Sequence, residues 1–226
     1  MNGPITDNFS AKRKIDFPIL TQKIHGKNLV YLDSAATALK PWPVIERLSH
    51  FYTYETSNVH RGAHFLADKA TVAFEQTREK TAKFIGAASP EEIIFTSGTT
   101  QALNLVAHSY GLKNIKAGDE ILVSEMEHHA NIVPWQMLCE KTAAKLVVAP
   151  VLETGDLDLE SFKKLLNNKT KIVAITHCSN TLGTYNDIQN ICQLAHAVDA
   201  IVVVDGAQAI TTIPVDVQKL DADFYA

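Results

Sequence analysis

The polar residues with the clearest chemistry stand directly after a run of branched apolar residues. Ile201-Val202-Val203-Val204 is followed by Asp205-Gly206-Ala207-Gln208. A run without polar alternation is typical of a strand covered on both faces, so we expect the Asp205 carboxylate to be desolvated and to need a partner. A basic side chain, a metal ion or a protonated pyridine ring would serve, and Gln208 could reach a substituent of such a ring. The residues alone also allow Asp205 to cap the next helix.

A second polar stretch is typical of a phosphate cradle. Thr96-Ser97-Gly98-Thr99-Thr100-Gln101 follows an apolar run and precedes a helical pattern. Unpaired N–H groups and the helix dipole favour an anion at such a turn, and the Thr99 and Thr100 hydroxyls add donors. Ordinary helix capping explains the same residues, and the GK[ST] sequence of a Walker loop is absent.

Two further stretches follow predicted strands. Glu127-His128-His129-Ala130-Asn131 offers a metal ligand, a base or a ring that stacks on a flat cofactor, although a solvated turn fits equally well. Adjacent side chains point to different sides, which argues against one metal ion shared by both histidines. Asn180, in His177-Cys178-Ser179-Asn180, could bind a substrate carboxylate or form an Asx turn. Together the stretches match one ligand with a phosphate, a flat ring and a ring nitrogen, and no metal site is predicted.

The elements that must position these residues alternate along the chain. Amphipathic patterns predict helices over 67–85, 100–112, 130–143, 158–167 and 188–197, and a proline-led helix runs from Pro41 towards Tyr54. Apolar runs predict strands at 93–95, 120–123, 146–149, 171–176, 200–204 and 224–225. This alternation is typical of βα units and a mainly parallel sheet, whose ligands bind beyond the carboxyl ends of the strands.

The sequence also predicts the domain organisation. We expect a flexible arm over residues 1–14, an N-terminal segment with helices over 15–85, and an α/β large domain over 86–226. The last residues, Asp223-Phe224-Tyr225-Ala226, belong to a predicted buried strand. We therefore expect the chain to be a fragment of a longer protein.

Composition narrows the class of protein. The 226 residues are 46% hydrophobic and 20% charged, with a formal net charge of −4. These values are ordinary for a globular protein, and the charge gives no general attraction to nucleic acid or to anionic membranes. No apolar run has the length of a membrane span, and the start lacks a secretory h-region. The cysteines, Cys139, Cys178 and Cys192, show no disulfide or CxxC spacing. We predict a cytoplasmic protein.

The motifs, taken in order, closely resemble the class V aminotransferase family and most of all its SufS-type group II cysteine desulfurases. The resemblance runs from about residue 15 to the end, and its most specific part is Glu127 to Gln136, EHHANIVPWQ. It also covers YLDSAAT at 31–37, NVHRG at 58–62, SGTT at 97–100, HCSNTLG at 177–183 and VDGAQ at 204–208.

The resemblance implies a fold-type I enzyme dependent on pyridoxal 5′-phosphate (PLP), with a mainly parallel sheet that is incomplete at the C-terminus. It implies that Thr99 and Thr100 bind the phosphate, His128 stacks on the pyridine ring, Asp205 pairs with the ring nitrogen and Gln208 binds the ring hydroxyl. Asn180, His60 and Arg61 would lie near the substrate, the latter two near a dimer interface. The implied reaction converts L-cysteine to L-alanine, with a persulfide passed to a SufE- or SufU-like acceptor for iron–sulfur cluster assembly by a homodimer.

The resemblance also implies that two catalytic residues of the family are absent from residues 1–226. The Schiff-base lysine of the family is expected after Ala226, and its persulfide cysteine matches none of Cys139, Cys178 or Cys192. Ser97 and Gln101 stand where relatives often carry arginine and glutamate. Two alternatives stay open: another class V lyase or aminotransferase, related to selenocysteine lyase or kynureninase, and a non-catalytic chain that binds a partner or a pyridoxal vitamer.

Overall fold

The computed structural model describes residues 13–226, which form two compact units, one ending at Thr77 and one spanning Arg78–Ala226. The predicted flexible arm lies almost wholly outside the described residues, and the predicted domain limits stay a prediction. Across residues 13–226, no helix combines the length and apolarity needed to cross a membrane.

The first unit contains a short hairpin and the start of a long helix. Strands β1 (Lys23–Ile24) and β2 (Lys27–Asn28) pair antiparallel across His25-Gly26, both at positive φ as a two-residue hairpin turn requires. Helix α1 (Trp42–His50) has a proline in its first turn and continues as a π-helical turn, Phe51–Glu55. Helix α2 (Phe65–Ile85) follows the loop. The predicted helices in this part of the chain are confirmed.

Helices and parallel strands alternate in the second unit. In chain order the elements are α3 (Thr99–Val106), a π-helical turn (Ala107–Gly111), α4 (Leu112–Asn114), β3 (Glu120–Ser124), α5 (Val133–Thr142), β4 (Lys145–Ala149), α6 (Leu159–Leu165), β5 (Thr170–Thr176), α7 (Ile188–His196), β6 (Ile201–Asp205), α8 (Val217–Leu220) and β7 (Phe224–Tyr225). The strand order is β4-β3-β5-β6-β7, and every neighbouring pair is parallel. The predicted parallel α/β sheet is confirmed.

Both faces of this sheet are covered, as the unbroken apolar strands predicted. One face packs against α3 and α5 through side chains that include Leu103, Trp135 and Val203. The other packs against α6 and α7 through side chains that include Phe162, Ile191 and Val204. Consecutive residues of β6 therefore belong to opposite cores, because side chains alternate across a strand.

One predicted strand is wrong. Ile93-Ile94-Phe95 was expected to open the sheet, but a 3₁₀ turn, Pro90–Glu92, precedes it and the described chain gives it no ladder partner. Ile93 is extended, yet Ile94 is 70% exposed. Apolar β-branched residues favour extended backbone, but a strand also needs a neighbour for its backbone hydrogen bonds. Thr99 and Thr100 therefore follow an extended segment and not a sheet strand.

His196, at the end of α7, gives a test of the contacts that hold β7. Its Nδ1 lies 3.2 Å from Asp221 Oδ2 and its Nε2 lies 2.9 Å from Asp223 Oδ2. Asp223 Oδ2 also accepts the Val202 N–H at 2.8 Å, which fixes the approach to β7. Burial lowers the pKa of His196, but the two carboxylates outweigh it and the net pKa is raised.

The raised pKa predicts a pH-dependent contribution to stability. The contribution is complete below the unfolded pKa of about 6.5 and is lost as pH rises through the higher folded pKa. We expect His196→Gln to lower the free energy of unfolding more at pH 5.5 than at pH 8.5, as measured by urea denaturation. An equal loss at both pH values would contradict this role for the imidazolium.

Candidate functional site

The chemistry-bearing residues of the second unit collect at the carboxyl edge of the sheet. Strands β3, β5 and β6 are neighbours and end at Ser124, Thr176 and Asp205. The loops that follow carry Glu127 with His128, His177 with Asn180, and Gln208. An open parallel sheet binds ligands beyond this edge, so the arrangement defines a candidate ligand site.

Asp205 is the buried acid of this edge, with 5% of its surface exposed. Its Oδ1 accepts the Ala207 N–H at 3.1 Å. Burial raises the pKa of the carboxyl, while the Ala207 hydrogen bond and the nearby His128 act in the opposite direction. The capping alternative does not hold, because the next helical turn, Ala209–Thr211, is preceded by Gln208 and receives no side-chain cap. A cationic ring nitrogen beside Asp205 would relieve the cost of burying this carboxylate.

His128 presents its ring at the same edge. It is exposed and stands at the start of a 3₁₀ turn, His129–Asn131, where its Nδ1 accepts the Ala130 N–H at 3.1 Å. This bond leaves the ring proton on Nε2. His128 and Asp205 lie at the same sheet edge, and the electrostatic influence of His128 lowers the pKa of Asp205. An exposed ring that is held by the backbone at the same sheet edge as a buried acid is suited to cover one face of a planar ligand.

The turn before α3 leaves room for an anion. A Cβ added to Gly98 would meet nothing within 4 Å, so the backbone there faces open space. Gln101 Oε1 accepts the Ser97 N–H at 2.6 Å, and Thr96 Oγ1 donates to the Gly98 carbonyl at 3.1 Å. Thr99 is half-buried and Thr100 is exposed. Helix α3 packs against the turn His129–Asn131 and against β6. The open backbone and the two hydroxyls fit a phosphate group.

Asn180 and Gln208 occupy the loops after β5 and β6. Asn180 is exposed in a tight loop in which Ser179 Oγ accepts the N–H groups of Thr181 at 3.3 Å and Leu182 at 3.2 Å. The Asx turn considered from the sequence is therefore a serine turn, and the amide of Asn180 lies at the surface. Gln208 is half-buried, and its carbonyl accepts the Thr211 hydroxyl at 2.9 Å.

His60 and Arg61 lie in the first unit. His60 adopts a φ of 64°, and its Nε2 lies 2.7 Å from Glu75 Oε1. Its backbone N–H donates to Thr71 Oγ1 at 2.9 Å, and its ring stands edge-on to Phe74. Arg61 is exposed. Their predicted place near a substrate stays a prediction.

Two parts of this edge were missed by the sequence reasoning. Glu127 is buried and accepts hydrogen bonds from Ser124, Asn131 and Thr176. Tyr225 Oη lies 3.1 Å from His177 Nδ1. Burial, Asp205 and Cys178 raise the pKa of Tyr225. The signal available for Glu127 was the one used for Asp205, a carboxylate close behind an apolar strand.

The three cysteines are free and buried. Burial raises the pKa of Cys139 to about 11 and that of Cys192 to about 12. Both thiols stay protonated near neutral pH, and a protonated thiol is a poor nucleophile. The prediction that Cys139 and Cys192 are core residues of helices is confirmed.

The fold and this edge define an α/β domain whose candidate ligand site lies at the carboxyl ends of parallel strands. The family model described as aminotransferase class-V matches residues 30–226. The chain therefore belongs to the class V aminotransferase family, as the motifs indicated.

Three of the relatives carry the same activity in their names. A probable cysteine desulfurase from Vibrio cholerae is 54% identical over 212 residues, which cover 94% of this chain and 52% of the relative. A cysteine desulfurase from Dickeya dadantii is 51% identical over 226 residues, which cover 100% of this chain and 55% of the relative. The solved apo cysteine desulfurase from Thermococcus onnurineus has a TM-score of 0.88 and 37% identity over 100% of this chain and 52% of its own. The chain thus spans about half the length of these relatives.

Proposed function

We propose that this chain supplies the pyridoxal phosphate-binding part of a cysteine desulfurase. The observation that carries the proposal is the buried Asp205 at the end of β6, whose pKa is raised by burial and lowered by the electrostatic influence of His128. An acid in this setting is stabilised by a cation, and a protonated pyridine nitrogen is a cation on a flat ring. Relatives that are 54% and 51% identical and carry the name cysteine desulfurase support the choice.

Each residue of the edge receives one role in this proposal. Thr99, Thr100 and the open backbone at Gly98 hold the phosphate. His128 covers one face of the ring, Asp205 keeps the ring nitrogen protonated and Gln208 binds the ring hydroxyl. The bound cofactor supplies an electron sink for the substrate carbon, and these residues only bind it and hold its charge.

The proposal also includes the substrate and the partners of the whole protein. We assign L-cysteine as the substrate and L-alanine as the product, with Asn180, His60 and Arg61 near the substrate. The Schiff-base lysine and the persulfide cysteine are assigned outside residues 1–226. A SufS-type homodimer that passes sulfur to a SufE- or SufU-like acceptor for iron–sulfur cluster assembly completes the proposal. Three free cysteines fit a reducing, cytoplasmic setting.

A cofactor titration tests the binding roles. We expect the purified chain to bind PLP with an induced circular dichroism signal at the cofactor absorption band. Thr99→Val should weaken PLP binding by about tenfold but leave the weaker binding of pyridoxal unchanged, because only PLP offers a phosphate to the hydroxyl. Thr53→Val, which removes an exposed hydroxyl from the first unit, is the matched control.

The chemistry is tested separately on the chain and on any longer product of the same gene. Borohydride reduction followed by peptide mass analysis locates a lysine bound to the cofactor, and sulfide release from L-cysteine measures turnover. A specific adduct on a lysine within residues 1–226, with turnover by the chain, would overturn the assignment of the lysine. A chain that gives no induced signal with PLP would overturn the binding roles.

A further inference from the structure

Glu127 is a buried carboxylate that the proposed function does not use. Its exposed fraction is 8%, and it stands three residues after the end of β3 and directly before His128 in the chain. Oε1 accepts the Ser124 hydroxyl at 2.6 Å and the Thr176 N–H at 2.9 Å. Oε2 accepts the Asn131 side-chain amide at 2.7 Å. A buried charge is costly, so a carboxylate with this set of donors calls for an explanation.

The directions of two of these hydrogen bonds are fixed by their surroundings. Thr176 offers a backbone N–H, which can only donate. Asn131 must turn its amide nitrogen to Glu127, because its Oδ1 accepts the indole N–H of Trp135 at 2.9 Å. Trp135 is fully buried in α5. Oε1 therefore accepts from the Thr176 N–H and Oε2 from the Asn131 amide, and an ionised Glu127 also accepts the Ser124 hydroxyl.

The contact with Thr176 extends the sheet beyond its last paired residues. The β3–β5 ladder has Val123 opposite Ala174 as its last pair. Further along β5, the Thr176 N–H bonds to the Glu127 side chain. Glu127 thus fastens the loop after β3 to the end of β5, across 49 positions of the chain.

The same loop carries the ring of His128. Asn131 N–H donates to the His128 carbonyl at 2.7 Å, and Ala130 N–H donates to His128 Nδ1 at 3.1 Å. The ring is therefore held by the turn His129–Asn131. That turn is held in place by the bond from Asn131 to Glu127. Removal of the Glu127 charge is expected to loosen the turn and with it the ring.

We propose that Glu127 is the positioning residue for His128, which it holds in one orientation and one tautomer by fastening the turn His129–Asn131 to the ends of β3 and β5. The inference deepens the proposed function, because it takes His128 as the ring-binding residue. Burial raises the pKa of Glu127 to about 7, against the hydrogen bonds from Ser124, Asn131 and Thr176, and the charge of Asp205 raises it further. A glutamine of equal size would avoid that cost, yet its amide would face another donor.

The test is a variant that moves the charge and keeps every hydrogen bond. In Glu127→Gln the new amide N–H group faces the Asn131 amide N–H group, so two donors meet and the hydrogen bond between these side chains is lost. In the double variant Glu127→Gln/Asn131→Asp, the glutamine donates to the new carboxylate, which also accepts the Trp135 N–H. Glu125→Gln is the control for loss of one charge. Glu125 is exposed in the same loop, and its Oε2 accepts the Val151 N–H at 3.0 Å, a bond that the glutamine oxygen can keep.

The first readout needs no cofactor. In the full chain with ¹⁵N-labelled histidine, the His128 ring, assigned with His128→Gln, should show the Nε2–H tautomer in wild type and in Glu125→Gln. Glu127→Gln should give averaged tautomer shifts and about tenfold weaker PLP binding, measured by induced circular dichroism. The double variant should restore both.

An unchanged His128 tautomer in a folded Glu127→Gln chain would overturn the proposal. If that variant does not fold, the double variant decides: a folded chain with averaged His128 shifts overturns the proposal, and a restored tautomer supports it. A wild-type chain that shows the expected tautomer pattern but does not bind PLP would refute the proposed function and leave the positioning role in place.

Discussion

Replacing Asp205 with asparagine is expected to lower the affinity of the chain for PLP by about 100-fold or more. Loss of one partner from a buried charge pair costs about 3 kcal/mol or more, and about 1.4 kcal/mol corresponds to a tenfold change in affinity. Asparagine keeps the size and the acceptor oxygen for the Ala207 N–H, so the loss isolates the charge. The measurement is a PLP titration at pH 7.5, followed by induced circular dichroism.

Asp205→Asn lowers the affinity for PLP, but it should not lower the stability of the cofactor-free chain. Because burial raises the pKa of Asp205, the folded state holds this proton more tightly than the unfolded state. Its contribution to stability therefore falls as pH rises from the unfolded pKa of about 3.9 through the folded pKa. Asp205→Asn should remove that fall, so urea denaturation at neutral pH should show a variant at least as stable as wild type.

Asp199→Asn is the matched control for Asp205→Asn. Asp199 is exposed just before β6 and has a φ of 59°, a conformation that asparagine also adopts readily. Asp199→Asn should change neither the affinity for PLP nor the difference in the free energy of unfolding between pH 5 and pH 7.5. A loss of affinity below threefold in Asp205→Asn would contradict the assignment of Asp205 to a cationic ring nitrogen.

Gly206→Ala is expected to destabilise the chain by about 1–3 kcal/mol or more through overpacking. A Cβ at residue 206 would stand closer than 3.0 Å to the ring of Tyr225. The ring cannot easily retreat, because Tyr225 is paired with Val204 in the sheet and its hydroxyl lies 3.1 Å from His177 Nδ1. Gly206 has no positive φ, so backbone strain does not contribute, and replacement of such a glycine ordinarily stabilises a protein slightly.

A double-mutant cycle separates this clash from other effects. Tyr225→Ala removes the ring and should lower stability by its own amount. In the double variant the added methyl group has space, so Gly206→Ala should cost much less on the Tyr225→Ala background than on wild type. The measurement is the free energy of unfolding from urea denaturation. Strictly additive losses would show that the tyrosine ring does not limit residue 206.

The sequence predicted most elements of the fold because their signal is local. The run Ile201 to Val204 has no polar alternation, and in the structure its residues enter cores on both sides of the sheet. Helices over residues 133–142 and 188–196 match the 3.6-residue spacing of apolar side chains. The motifs added the family, which the match over residues 30–226 bears out. Ile93-Ile94-Phe95 failed because a strand requires a neighbour, and no local pattern specifies one.

For the candidate site too, the sequence identified the residues and the fold determined their contacts. The sequence by itself determined the family and the candidate residues Asp205, His128, Thr99 and Thr100, because residue type and position along the chain are local properties. Only the tertiary structure decided that Glu127 bonds to Thr176, that Tyr225 packs on Gly206, and that His128 and Asp205 lie at the same sheet edge and interact electrostatically. These contacts join residues far apart in the chain. Their hydrogen bonds and burial arise only when β3, β5, β6 and β7 align, and this alignment shifts the pKa values of Glu127 and Asp205.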